Sequence, residues 1–207
     1  MVNVTLLDFA GLALAVVFAV VVAFFGHASF LPLMLIFLAA SVLVTKYGYG
    51  EKREMGLYEH ERSWENVLAN GIVPALCAVL YPVIGVGPYL GSLAAITADK
   101  FASEMGVLGG QPFSLLDFKR VKKGTSGAIS FFGTLMSFDG ALIIGAGFFV
   151  LVGGVSAWTV VKIALIGTIG SMGDSIVGVL EEKGVGNKST TNAICAAIGA
   201  LLGAAYL

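Results

Sequence analysis

Apolar residues run in seven long stretches, near 6–25, 29–45, 66–84, 88–104, 127–152, 158–180 and 190–207. Between them lie three polar segments, 46–65, 105–126 and 181–189, and three short links near 26–28, 85–87 and 153–157. A helix must supply about 20 apolar residues to cross a bilayer. The pattern therefore predicts an all-α integral membrane protein: a bundle of about seven transmembrane helices forming a single domain, 1–207. The second and fourth stretches are short, and are expected to be tilted or partly re-entrant segments. The first is longer than a signal-peptide core and lacks a basic flank, so it reads as a retained helix. Many of the 28 glycines fall inside these stretches, where small residues let helix backbones approach closely.

Composition sharpens this picture. Hydrophobic residues make up 57% of the 207 positions and charged residues only 12%, whereas a soluble domain carries about 25% charged residues. Mean hydropathy is +0.93. These values exclude a soluble enzyme and a disordered chain. A net charge of -1 offers no basic field for a nucleic acid. Cys77 and Cys195 lie in apolar stretches and read as small buried hydrophobes.

The charges also orient the chain. Of its 12 basic residues, all but Lys162 lie in or beside the three polar segments. Basic loops stay in the cytoplasm, so the three segments and the N-terminus are expected there, and any chemistry with them. The opposite links carry almost nothing polar, which disfavours the rival reading as a transporter or ion channel with a polar path across the membrane.

Four polar constellations stand out. Asp99 and Glu104 end the fourth stretch. An acid near lipid is expensive and usually functional or paired, and magnesium (Mg2+) favours one or two carboxylates with phosphate oxygens. Five residues apart, the two acids sit about 140° around a regular helix, so sharing one ion would need a break in it. Next, Lys119, Arg120, Lys122 and Lys123 precede Gly124-Thr125-Ser126-Gly127, a turn expected to open the long fifth helix. A helix start favours an anion, and glycine admits a phosphate close to the backbone; Lys119 and Lys123 would add point charges. The bland alternative is an ordinary basic loop before a capped helix.

Third, Asp174 lies inside an apolar stretch, with Gly178 and Glu181 on the same helical face and Ser175 beside it. It reads as a metal or phosphate group, while Glu181 reads as solvated. Fourth, Arg62, Asn66 and Asn70 form a stripe entering the membrane, and Asn187, Lys188 and Asn192 form a weaker cluster. Both groups suit substrate or base recognition; interhelical hydrogen bonding and helix capping are the alternatives. Asp139 lies too deep for this scheme and reads as a structural or protonated acid, and His27 and His60 receive no role.

Taken in order, Asn70-Gly, Ser-Leu-Ala-Ala-x-Thr-Ala-Asp-x-x-Ala-Ser-Glu-x-Gly, Phe-Lys-x-Val-x-x-Gly-Thr-Ser-Gly-Ala-x-Ser and Gly-Ser-x-x-Asp-Ser resemble the phytyl-phosphate kinase family, which includes transmembrane protein 19. The resemblance runs from about Arg62 to Asn192. It implies an isoprenyl (phytyl or geranylgeranyl) monophosphate acceptor, converted to the diphosphate by a nucleoside triphosphate. CTP is the implied donor, with magnesium at the cytoplasmic face. On this reading Asp99, Glu104 and Asp174 hold metal. Lys119, Lys123, Gly124, Thr125, Ser126, Gly127 and Ser175 hold phosphates. Arg62, Asn66, Asn70, Asn187, Lys188 and Asn192 recognise the base or the acceptor. The expected partners are an isoprenyl phosphate lipid and the bilayer, with no nucleic acid; a homodimer is compatible with the sequence. This chain carries Asp99-Lys100-Phe101-Ala102 where the family has Asp-Thr-Trp-Ala. Two alternatives use similar groups: a CTP-dependent polyprenol kinase and a cytidylyltransferase making CDP-lipids.

Overall fold

In the computed structural model, which describes residues 8–58, 63–115, 117–182 and 184–207, the apolar stretches form helices. The order is α1 (Phe9–Phe25), α2 (Phe30–Lys46), α3 (Tyr49–Glu54), α4 (Trp64–Ile84), α5 (Gly87–Gly106), α6 (Phe131–Val152), α7 (Ala157–Glu182) and α8 (Lys188–Tyr206). A small antiparallel pair, β1 (Phe113–Ser114) and β2 (Ala128–Ile129), lies between α5 and α6. Among the described residues, α4, α6, α7 and α8 are long and apolar enough to cross a membrane, and α1 and α2 are shorter apolar helices. Large apolar side chains such as Phe24, Val83 and Val150 stand on the outer surface, as a lipid environment allows.

The hub is α5. Every residue from Gly87 to Asp99 is buried, because α2, α4, α6, α7 and α8 all pack around it. Such a helix must be small or apolar all round, and its hydroxyls must be satisfied internally. Ser92 donates to the Tyr89 carbonyl and Thr97 to the Leu93 carbonyl. Tyr89 stacks on Phe30 with ring centroids 3.8 Å apart, and its hydroxyl donates to the Phe30 carbonyl at 2.8 Å. That contact fixes the start of α5 against the start of α2.

The opposite end gathers the polar segments. Asp8 caps α1 by accepting from the Gly11 amide, and its other oxygen accepts from the Trp64 amide at the start of α4. The ends of α5 and α7 and the starts of α6 and α8 meet at this same end, through Asp99, Asp174 and Lys188 and through a cavity that reaches Ser130. One boundary differs from expectation. Gly124–Gly127 does not open α6. The chain leaves Gly127, which has φ +71°, runs extended through β2, and starts the helix at Phe131 with Ser130 as its cap. The left-handed glycines make a reversal, and a reversal cannot continue directly into a helix.

Candidate functional site

A cavity of about 330 Å³ opens at this polar end. On one wall, Asp99 of α5 and Asp174 of α7 converge on Lys188, the first residue of α8. The Lys188 ammonium lies 3.0 Å from Asp174 Oδ2 and 3.9 Å from Asp99 Oδ2. Both acids are buried, whereas the Lys188 side chain is 43% exposed, so two buried carboxylates share one partly exposed cation. Asp174 Oδ1 is buried without a hydrogen-bond donor. Such an arrangement is deficient in positive charge and invites a further cation or proton.

The facing wall is the Gly124–Gly127 turn. It is pinned to α7 by backbone contact. A Cβ at Gly127 would lie 2.5 Å from the Val179 amide nitrogen, and one at Gly178 would lie 2.6 Å from the Gly127 nitrogen. Ser126 Oγ donates to Glu181 Oε2 at 2.8 Å. The Gly178 and Glu181 positions thus serve to dock the turn one to two helical turns beyond Asp174, and Glu181 is a partner of the turn rather than a solvated acid. Lys123, Gly124, Thr125, Ser126, Gly127 and Ser175 all line the cavity. Ser130 closes the start of α6 by accepting from the Gly133 amide at 3.0 Å, and that helix start points its dipole at the same space.

Several expected residues lie elsewhere. Lys119 does not line this cavity. Its side chain is 80% exposed and pairs with Asp117 at 3.1 Å. Phe118, at φ +53°, turns the hairpin so that Lys119 projects outward, and the hydrogen bonds from Lys119 hold the Asp117 carboxyl below the usual carboxylate range. Asn187 is a cap: its Oδ1 accepts from the Thr190 amide and hydroxyl at 3.0 and 3.1 Å. Arg62 and His60 lie outside the described residues. Asp139 is exposed on the outer face of α6 and lines neither cavity. His27 shares a 2.9 Å hydrogen bond with Ser29 Oγ.

Glu104 needs the largest correction. It does not join Asp99 and Asp174, and no group of three His, Cys, Asp or Glu side chains forms a metal cluster among the described residues. The helix continues unbroken through Gly106, so the rotation between positions 99 and 104 sends Glu104 to another side. There it meets Lys100 and Lys52, the latter at 2.7 Å, and accepts from Thr45 Oγ1 at 3.1 Å. Lys52 is completely buried and also donates to the Val44 and Thr45 carbonyls at 2.9 and 3.2 Å. These carbonyls belong to the last turn of α2, which lacks intrahelical donors. Lys52 therefore ties α2 and α3 to α5. Glu104→Gln is expected to destabilise the protein by about 3 kcal/mol, because it strips the charge partner from a buried ammonium. Unfolding in detergent measures this, and adding Lys52→Met to Glu104→Gln should recover part of the loss.

A second cavity of about 230 Å³ lies between α2, α4, α5 and α8, lined by Asn66, Asn70, Lys100, Glu104, Lys188 and Asn192 among others. Asn70 Nδ2 donates to the Asn66 carbonyl at 2.9 Å, whereas Asn192 Oδ1 is buried without a partner. Sequence reasoning missed the hydroxyls of the larger cavity, Ser103, Thr134, Ser137 and Ser171. Ser171 was detectable: it precedes Asp174 by three residues and so shares its helical face. Lys52 carried no such signal.

Comparison with known proteins agrees with this architecture. The chain is 37% identical to an uncharacterized membrane protein of Methanocaldococcus jannaschii over 95% of its own length and 84% of the relative's. It is 30% identical to Protein PGR of Arabidopsis thaliana, over 70% of this chain and 62% of that protein. An uncharacterized membrane protein of Synechocystis sp. is also 30% identical, over 87% of this chain and 72% of the relative's. No solved structure matches. The profile of the integral membrane protein family DUF92 covers residues 1–201, and the chain belongs to that family.

Proposed function

We propose that the protein is a membrane-embedded isoprenyl monophosphate kinase that uses a nucleoside triphosphate, CTP by resemblance, at the cytoplasmic face. The observation that carries this reading is the pairing of two buried, cation-poor carboxylates with a glycine turn across one cavity. Asp99 and Asp174 supply hard oxygen ligands, and the unpartnered Asp174 Oδ1 fits a magnesium ion. Magnesium, when bound, would neutralise charge on the donor phosphates. Glu104, held by Lys52 and Lys100, takes no part in holding it.

The chain's own residues do the rest. Lys123 and the Gly124–Gly127 turn bind the donor phosphates, and Ser175 and Ser171 supply hydroxyl donors from α7. Lys188 holds Asp99 and Asp174 in place and presents positive charge to the reacting phosphate. An oxygen of the acceptor monophosphate forms a bond to the γ-phosphorus. The bond from that phosphorus to the β–γ bridging oxygen breaks, and the nucleoside diphosphate leaves. A monophosphate oxygen is already nucleophilic, so no general base is required, and catalysis is positioning plus charge neutralisation. The concentration of basic residues at this end supports its cytoplasmic placement.

The test uses purified protein in detergent with magnesium, geranylgeranyl monophosphate and either CTP or ATP. Lipid diphosphate with released nucleoside diphosphate is the expected result and identifies the donor. A CDP-linked lipid with pyrophosphate would assign a cytidylyltransferase instead. No turnover of monophosphate, alcohol or phosphatidate by folded protein would overturn the enzyme reading in favour of a transporter.

A further inference from the structure

We propose that the smaller cavity is the acceptor chamber: it receives the phosphate head of the lipid, and the lipid chain leaves through the furrow between α2 and the α1–α4 pair. This rests on the kinase reading and divides its two substrates between two cavities.

The two cavities share a wall. Asp99, Ser103, Val107, Gly124 and Lys188 line both. A group held in one therefore lies across a wall of Asp99, Ser103, Val107, Gly124 and Lys188 from a group held in the other, the adjacency that direct transfer between two substrates requires. The larger cavity has the glycine turn and the hydroxyls, which suit a polyphosphate. The smaller has a different character. Phe37 of α2, Leu57 after α3 and Ile96 of α5 give it apolar sides; Lys100, Lys188 and the amides of Asn66, Asn70 and Asn192 give it a polar end, where the carboxylates of Asp99 and Glu104 stand beside the two lysines. A lipid phosphate is built the same way.

Asn192 marks the polar end as a binding site rather than packing. It is only 5% exposed, and its Oδ1 has no partner. An orphaned amide in a buried site carries a desolvation penalty that a ligand removes. Rotation of the amide by half a turn presents either Oδ1 or Nδ2, and Nδ2 is the donor a phosphate oxygen needs.

The helix arrangement supplies the lipid route. α2 packs on α5, on α6 and, less extensively, on α1, while α4 packs on α1, α5 and α8. Both lean on α5 from different sides. They meet at the far end, where the Phe30 and Tyr81 rings lie 5.5 Å apart. Toward the polar end they are separated by the cavity. Phe37 sits nine residues before the end of α2, about 13 Å along the helix axis, so the chamber reaches hydrocarbon depth if α2 lies across the bilayer. A lipid can then present its head without leaving the membrane.

The experiment measures binding, so that its outcome is separate from turnover. A single cysteine is placed at Phe37→Cys, or at Leu57→Cys if the first variant fails to fold, and another at Ala128→Cys in the larger cavity. The native Cys77 and Cys195 are buried and are replaced by Ala. Geranylgeranyl monophosphate should slow maleimide labelling at the first site and leave position 128 unaffected. CTP with magnesium should do the reverse, and inorganic phosphate should protect neither as well as the lipid. Asn192→Leu should weaken lipid protection about tenfold, the equivalent of one hydrogen bond, with CTP protection at position 128 unchanged. Protection of the first site by CTP, absence of lipid protection there, or failure of the maleimide to reach it would overturn the proposal. Lipid protection without turnover would keep the chamber and sink the kinase reading alone.

Discussion

Asp174→Asn is expected to lower phosphoryl transfer by about 10³-fold while the protein stays folded, an effect of the size seen when a preorganised electrostatic group is removed. The substitution keeps the shape and one acceptor oxygen for Lys188 but deletes one charge of the two that face it. The remaining Asp99 and Lys188 form a neutral pair with little need for a further cation. Magnesium dependence should therefore shift to higher concentrations as well. The Lys188 ammonium keeps a carboxylate partner, so the buried-charge penalty that Glu104→Gln would impose on Lys52 does not arise here. The measurement is kcat and magnesium titration in the lipid diphosphate assay, with unfolding in detergent as the control. Near-normal turnover by folded Asp174→Asn would remove Asp174 from the mechanism and with it the two-acid site.

The contrast between these two acids shows what a sequence reveals. Both are costly charges in apolar stretches, and that cost alone singles them out. Asp174 shares a helical face with Ser171, Gly178 and Glu181, so its partners follow from periodicity, and the turn it faces was visible as a glycine pattern. Glu104 is five residues from Asp99, and the angle between them already argued against one shared ion. What replaced that ion was invisible: Lys52 sits on a six-residue helix whose burial depends on where α2 ends. Lys119 and Lys123 are equal as charges in a string of residues. A single left-handed Phe118 sends one outward, and no periodic signal reports it. The apolar stretches locate the long helices because hydrophobic length is additive along the chain. The choice of α5 as the hub is a matter of tertiary packing, and its modest hydropathy conceals how thoroughly it is buried.

That packing is also the basis of the second large effect. Gly87, Gly91 and Ala95 on α5 lie four residues apart; Gly87 and Gly91 face Gly203 and Gly199 on α8, and Ala95 also packs on Gly199. A Cβ at Gly91 would stand 2.0 Å from the Gly199 carbonyl oxygen, and one at Gly199 would stand 2.3 Å from the Gly91 oxygen and 2.6 Å from the Ala95 Cβ. The obstacle is backbone, which cannot rotate aside as a side chain can. Gly199→Ala is therefore expected to cost about 3 kcal/mol, the upper end for overpacking, read as earlier unfolding in a denaturant titration. Gly50→Ala is the control. Position 50 has open space around it and lies within α3, so alanine there should be neutral or stabilising by up to about 1 kcal/mol. The same substitution at 199 should also reduce turnover in molecules that remain folded. α5 carries Asp99 and α8 carries Lys188 and Asn192, so any separation of the two helices lengthens the contacts on which both cavities depend. If Gly199→Ala lowered stability but left kcat and both KM values unchanged, the spacing of α5 and α8 would be a matter of folding only, and the shared wall would tolerate more movement than phosphoryl transfer between adjacent chambers allows.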